Sequence, residues 1–223
     1  MQKQKGFTIV EMIVVMAVFL FIVGAGIGIF ISVIQSQKKV LAQQQLLNQI
    51  SYIEEYMSKA LRMAKTDETG NCLGDPGNGG KYIYKLTRQD PIPGVSGIYR
   101  GIKFLNQSDE DVLGNPVCQE FFLDNKVSGD TSTPLILKEL KNDTNVANAI
   151  ALTSDSLKIN FMKFGINGAN GSIGSDFEAT SLDAIQPRVT ILLNIEIPGD
   201  SQEPQRTIQT TISRRNLNVL PAE

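Results

Sequence analysis

Glu11 is the first residue whose placement demands a chemical role. It is a lone carboxylate at the N-terminal edge of residues 12–31, twenty residues without a charge or a side chain more polar than glycine. At about 1.5 Å per helical residue that run is roughly 30 Å long, one hydrocarbon thickness. A charge on such a helix costs about 3 kcal/mol at the bilayer centre and less near its end, so it normally has a partner or a function. Cys72 and Cys118 are the only cysteines. An apolar anchor ahead of them would export them, which favours one disulfide over two free thiols. Residues 165–176 scatter Asn167, Asn170 and Asp176 among glycines, oxygens that can wrap Ca²⁺. Asp176 and Glu178 are the only carboxylates close by, and the EF-hand spacing is absent. A surface loop is therefore preferred, with no metal and no cofactor expected. There is no histidine, no G-x-S-x-G and no phosphate-binding loop, so no enzyme is expected.

The apolar run admits three readings. A secretory signal peptide would need a small-residue cleavage site, and 32–39 reads Ser-Val-Ile-Gln-Ser-Gln-Lys-Lys instead. A plain single-pass anchor accounts for the run and for Lys3 and Lys5 ahead of it, but not for Glu11. The third reading rests on Gly6-Phe7-Thr8-Ile9-Val10-Glu11, which resembles the processing signal of type IV prepilins and pseudopilins. The resemblance implies that a membrane peptidase cuts between Gly6 and Phe7 and that Phe7 is N-methylated. Glu11 then takes the place of the family's glutamate at the fifth mature position. The fold implied is pilin-like α+β: a long N-terminal helix, transmembrane in its first half, packed on a mainly antiparallel sheet. The boundaries implied are a leader at 1–6, a transmembrane and polymerisation helix at 7–34, its amphipathic half at 35–65, and a β-rich globular domain at 66–223. The partners implied are inner-membrane lipid, the prepilin peptidase and methylase, and other pilin or pseudopilin subunits. The chain would be a single-pass inner-membrane protein with its C-terminal domain outside the cytoplasm, assembled into a pilus or type II secretion-like filament.

Electrostatics agree with that assignment. Cleavage would create an ammonium at Phe7, four residues before Glu11. Positions four apart share a helix face, about 6 Å apart along the axis. Glu11 could neutralise its own terminus in lipid or that of a neighbouring subunit, which would penalise docking at the wrong height. A reading from another class is a monomeric membrane-anchored binding module.

Nucleic acid is not expected as a main partner. Loss of Lys3 and Lys5 from the 21 basic residues leaves 19 against 23 acidic ones, a net of −4. The only basic pairs are Lys38-Lys39, read as an interfacial anchor, and Arg214-Arg215, read as a solvated strand end.

Beyond the membrane run, Leu46, Ile50, Ile53, Met57, Ala60 and Ala64 form a stripe on a helix continuing to about residue 65, widened by Leu41, Leu47 and Leu61. We expect it to lie on the domain's own sheet rather than form a coiled-coil seam. Gly24-x-x-x-Gly28 could let helices approach closely. Residues 66–80 are dense in turn formers. Strands are expected at 81–86, 97–105 and 117–123, with turns at 90–94 and 106–115. Residues 134–140 and 145–152 read as strand or short helix, and 157–164 alternates with two competing phases. Residues 188–197 and 205–214 read as a terminal antiparallel hairpin with Val189, Ile191, Leu193, Ile195 and Ile197 on one face. The segments 210–216 and 57–64 resemble J-type minor pseudopilins, which implies a minor, larger subunit.

Overall fold

The computed structural model describes residues 6–74, 82–89, 98–154, 157–167, 187–197 and 205–214. The fold is α+β. One helix, α1 (Ile9–Arg62), precedes the strands β1 (Ala64–Lys65), β2 (Tyr84–Gln89), β3 (Tyr99–Glu110), β4 (Pro116–Asn125), β5 (Leu135–Lys141), β6 (Ile150–Ala151), β7 (Lys158–Asn167), β8 (Arg188–Glu196) and β9 (Gln205–Ser213). The chain divides into two compact units, Met1–Gln45 and Leu46–Glu223.

In the first unit all the described residues up to 41 are exposed. The helix is long and apolar enough to cross a membrane. A Cβ added at Gly24, Gly26 or Gly28 would meet nothing within 4 Å.

In the second unit the strands form one sheet in the order β6-β5-β4-β3-β7-β8-β9, with β1 and β2 also pairing with β3. Every pairing is antiparallel. The helical stripe buries Leu46, Ile50, Ile53, Met57, Ala60 and Leu61. They join one core with Ile102, Phe104, Phe121 and Leu123 from β3 and β4 and Val189, Ile191, Leu193 and Ile195 from β8. Phe121 packs its ring against Phe104 at 5.7 Å and, edge-on, against Tyr56 at 5.9 Å between centroids. Of the three residues expected to widen the stripe, Leu61 is buried and Leu41 and Leu47 are exposed.

The helix stops at Arg62 rather than near 65, because Ala64 and Lys65 pair with Asn106 and Leu105 as a strand. Its end is satisfied by the Tyr84 hydroxyl, which donates to Leu61 O at 2.7 Å. The turn expected at 106–115 shrinks to 111–115, since β3 continues to Glu110. The strand runs on through polar Asn106–Glu110 because a ladder is made by backbone groups, although its pairing with β4 shifts register between Asn106 and Glu110. Residues 135–141 resolve as a strand, and 146–148 as a 3₁₀ turn leading into β6. The competing phases of β7 have a physical source. A bulge between Ile159 and Phe161 shifts the register, so Ile159, Met162 and Phe164 all face inward. The terminal hairpin pairs β8 and β9 from Arg188↔Ser213 to Glu196↔Gln205. Arg214 is not solvated as expected: it is buried, and burial lowers its pKa while Tyr84 partly offsets that. Arg215 lies outside the described residues.

On the sheet face away from α1, Arg88 takes φ 58° and lays its guanidinium 4.2 Å over the Phe122 ring. Its Nε also meets Glu120 Oε1 at 3.0 Å. A Cβ on Gly101 would come within 2.4 Å of Thr87 Oγ1 and 2.9 Å of Arg88 Cγ. Only glycine permits that close approach.

Candidate assembly segment

Gly6 and Phe7 precede α1 and are exposed, Phe7 by 81%. Thr8 is the N-cap. Its Oγ1 accepts from the Glu11 backbone N–H at 3.4 Å, and its carbonyl accepts the first helical bond, from Met12, at 3.2 Å. Thr8-Ile9-Val10-Glu11 therefore has the Thr-x-x-Glu spacing of a capping box, a sequence signal that the motif reading passed over. Glu11 lies in the first turn, where the helix dipole favours a carboxylate. Its side chain is exposed and has no partner among the described residues. Because the helix begins at Ile9, Phe7 does not share a helical face with Glu11 in the uncut chain. Behind them, Ile9, Val10, Met12, Ile13, Phe19, Leu20 and Phe21 are each more than half exposed. So much apolar surface is stable only in a non-aqueous surrounding.

Cys72 and Cys118 are joined, with S–S 2.08 Å and Cα atoms 5.5 Å apart. The bond fastens the connection after α1 to β4. The same connection is organised by Asp67, which the sequence reading missed. Asp67 Oδ1 accepts from Thr69 Oγ1 and Gly70 N at 3.1 and 3.0 Å. Oδ2 accepts from Cys72 N and Leu73 N at 2.9 and 2.8 Å. Burial alone would raise the carboxyl pKa, but these donors hold it below its usual 3.8. An Asp followed by Thr and Gly is the available sequence signal.

A second unforeseen cluster ties α1 to the sheet. Tyr56 donates to Glu139 Oε1 at 2.7 Å. Gln119 Nε2 donates to the same oxygen, and Asn106 Nδ2 donates to Gln119 Oε1 at 2.7 Å. Lys141 Nζ sits 3.6 Å from Glu139 Oε1 and 2.6 Å from Asp109 Oδ2. Burial first, then the Glu139 hydrogen bond and charge, push the Tyr56 pKa up to about 12. Every group in the cluster is paired, which suits a structural role.

Of the calcium candidates, Asn167 is exposed at the end of β7, whereas Asn170 and Asp176 lie outside the described residues. No group of three or more His, Cys, Asp or Glu converges among the described residues.

A prokaryotic N-terminal methylation motif matches residues 1–27. No curated protein and no solved structure matches the chain.

Proposed function

We propose that this chain, which carries the N-terminal methylation motif of type IV prepilins and pseudopilins, is a structural subunit of a type IV pilus or type II secretion-like filament. The observation that carries the reading is the coincidence of that motif with an exposed apolar helix behind it. Prepilin peptidase cuts between Gly6 and Phe7 and Phe7 is methylated. Residues 7–34 then form the transmembrane and polymerisation helix, 35–65 its amphipathic continuation, and 66–223 a globular domain outside the cytoplasm. Membrane lipid and other pilin subunits are the surroundings that satisfy the helix in turn. The resemblance of 57–64 and 210–216 to J-type pseudopilins favours a minor subunit.

Glu11 sets register. The amine exposed at Phe7 and the Glu11 carboxylate of the same or an adjacent subunit neutralise one another in lipid, where either charge alone is costly. Pairing within one chain needs the first turn to extend back over Phe7 and Thr8 once the leader is gone. Intact-mass analysis of the membrane protein tests processing: a chain starting at N-methylated Phe7 is expected, and an intact Met1 would leave a monomeric anchored module. Glu11→Ala is expected to be inserted and cut but to enter filaments poorly. Normal incorporation of that variant would remove the register role.

A further inference from the structure

Three Asn-x-Ser/Thr triplets without a middle proline occur in the chain, at Asn106, Asn142 and Asn170. The triplet is the acceptor signal for N-linked sugar, which needs an asparagine amide at the surface of an exported segment. Asn170 lies outside the described residues. The other two differ sharply in their surroundings. Asn106 is buried. Its Nδ2 donates to Gln119 Oε1 at 2.7 Å, and its Oδ1 accepts from Ser108 N and Ser108 Oγ at 2.9 and 2.8 Å. A sugar on that nitrogen would have to fit inside the packed cluster that ties α1 to the sheet.

Asn142 is the reverse case: it is exposed, in the turn that follows β5. Its Oδ1 accepts from Cys118 N at 2.7 Å, and its own N donates to Cys118 O at 2.8 Å. Its Nδ2 and the Thr144 hydroxyl have no partner among the described residues. Asp143 holds the turn, with Oδ1 accepting from Thr144 N and Asn145 N at 2.6 and 2.8 Å. The left-handed φ of 49° at Asn142 accounts for an asparagine there, but not for a threonine two residues on. All three residues of the triplet also line a cleft of about 740 Å³. Its lining is mostly polar, with Thr66, Asn71 and Asn115 among charges of both signs. Such a cleft offers a first sugar room and hydrogen-bonding groups.

We propose that Asn142 is an acceptor of N-linked sugar. The co-reactant is a lipid-linked oligosaccharyl diphosphate on the non-cytoplasmic face of the membrane, presented by a membrane transferase. Asn142 Nδ2 bonds to C1 of the first sugar and the C1–O bond to the diphosphate breaks. The lipid diphosphate leaves with the electron pair, one Nδ2 proton passes to a base of the transferase, and nothing is oxidised or reduced. The product is still an amide, so Oδ1 continues to accept from Cys118 N. The site rests on the part of the functional reading that puts 66–223 outside the cytoplasm, and not on the filament.

The test is intact-mass and peptide mass spectrometry of the chain purified from its own membranes, native and with Asn142→Gln, Thr144→Ala or Thr144→Ser. The native chain is expected to carry the mass of at least one sugar residue on Asn142. Asn142→Gln and Thr144→Ala lose it, whereas Thr144→Ser keeps it, because the triplet requires a hydroxyl at its third position. An unreduced Cys72–Cys118 bond in each variant shows that the domain is folded, and Thr144→Ala leaves both Asn142–Cys118 hydrogen bonds in place. A native chain without sugar on Asn142 overturns the proposal. So does sugar on Asn106 or Asn170 in its place, or sugar on Asn142 that survives Thr144→Ala. A chain glycosylated on Asn142 with Met1 intact keeps the acceptor and removes the filament reading. An unglycosylated chain starting at methylated Phe7 does the reverse.

Discussion

From residue 12 to residue 31, α1 is apolar on every side and exposed; from residue 46 to residue 62 it is polar on one face and buries the other. Backbone hydrogen bonding is the same in both stretches, so propensity does not separate them. The difference lies in what each surface requires of its surroundings. The second stretch finds its apolar partner in the sheet of its own chain. The first finds none there, and a helix that is apolar all round needs lipid or other helices.

The sharpest test of this contrast removes one apolar side chain from each stretch. Leu61→Ala is expected to cost about 4 kcal/mol, because Leu61 is fully buried and leaves a cavity. Phe19→Ala should leave the melting of the sheet domain unchanged. A detergent-solubilised melt of the two variants reads both, and equal loss from both would break the comparison. Cys72→Ser with Cys118→Ser comes next, at about 3 kcal/mol by chemical denaturation, from the freed connection after α1. Insertion of the first stretch should be unaffected.

Asp67→Asn is expected to cost about 2 kcal/mol, since the amide turns an NH₂ toward backbone donors. The native carboxyl has a lowered pKa, so its stabilisation is present above the unfolded value of 3.8 and is lost as pH falls through the lower folded value. An acid titration of stability that is steeper for the native chain than for the variant checks this. The smallest effect, about 1 kcal/mol, belongs to Tyr56→Phe, which strips one donor from Glu139. Tyr56 has its pKa raised from 10.0 to about 12, so its stabilisation is present below pH 10 and is lost as pH rises toward 12. The Phe variant should show a flatter alkaline limb in the same titration.

Legibility followed the strength of periodic burial. The 4,3,4,3 stripe from Leu46 to Ala60 and the alternation of β8 could be read directly, because one face of each is covered by apolar neighbours. β7 gave two phases because a bulge changes its inward face midway, and a bulge has no compositional mark there. The outer half of β3 was read as turn because its residues are polar, and its pairing with β4 is irregular there, shifting register between Asn106 and Glu110. Arg214 was read as exposed because a charged pair at a chain end usually is, and only the fold shows it buried near Tyr84.

The amino-acid order by itself determined the apolar helix, the position of Glu11 at its edge, the N-terminal methylation motif over residues 1–27 and the amphipathic stripe that follows. These are local properties, set by neighbours within a few turns. Tertiary structure decided which polar groups became partners: Tyr56 with Glu139, Asp67 with four donors around one turn, and Cys72 with Cys118. Those partnerships join residues 2 to 83 positions apart. The longer ones are fixed by strand order and register, which no short stretch of the chain encodes.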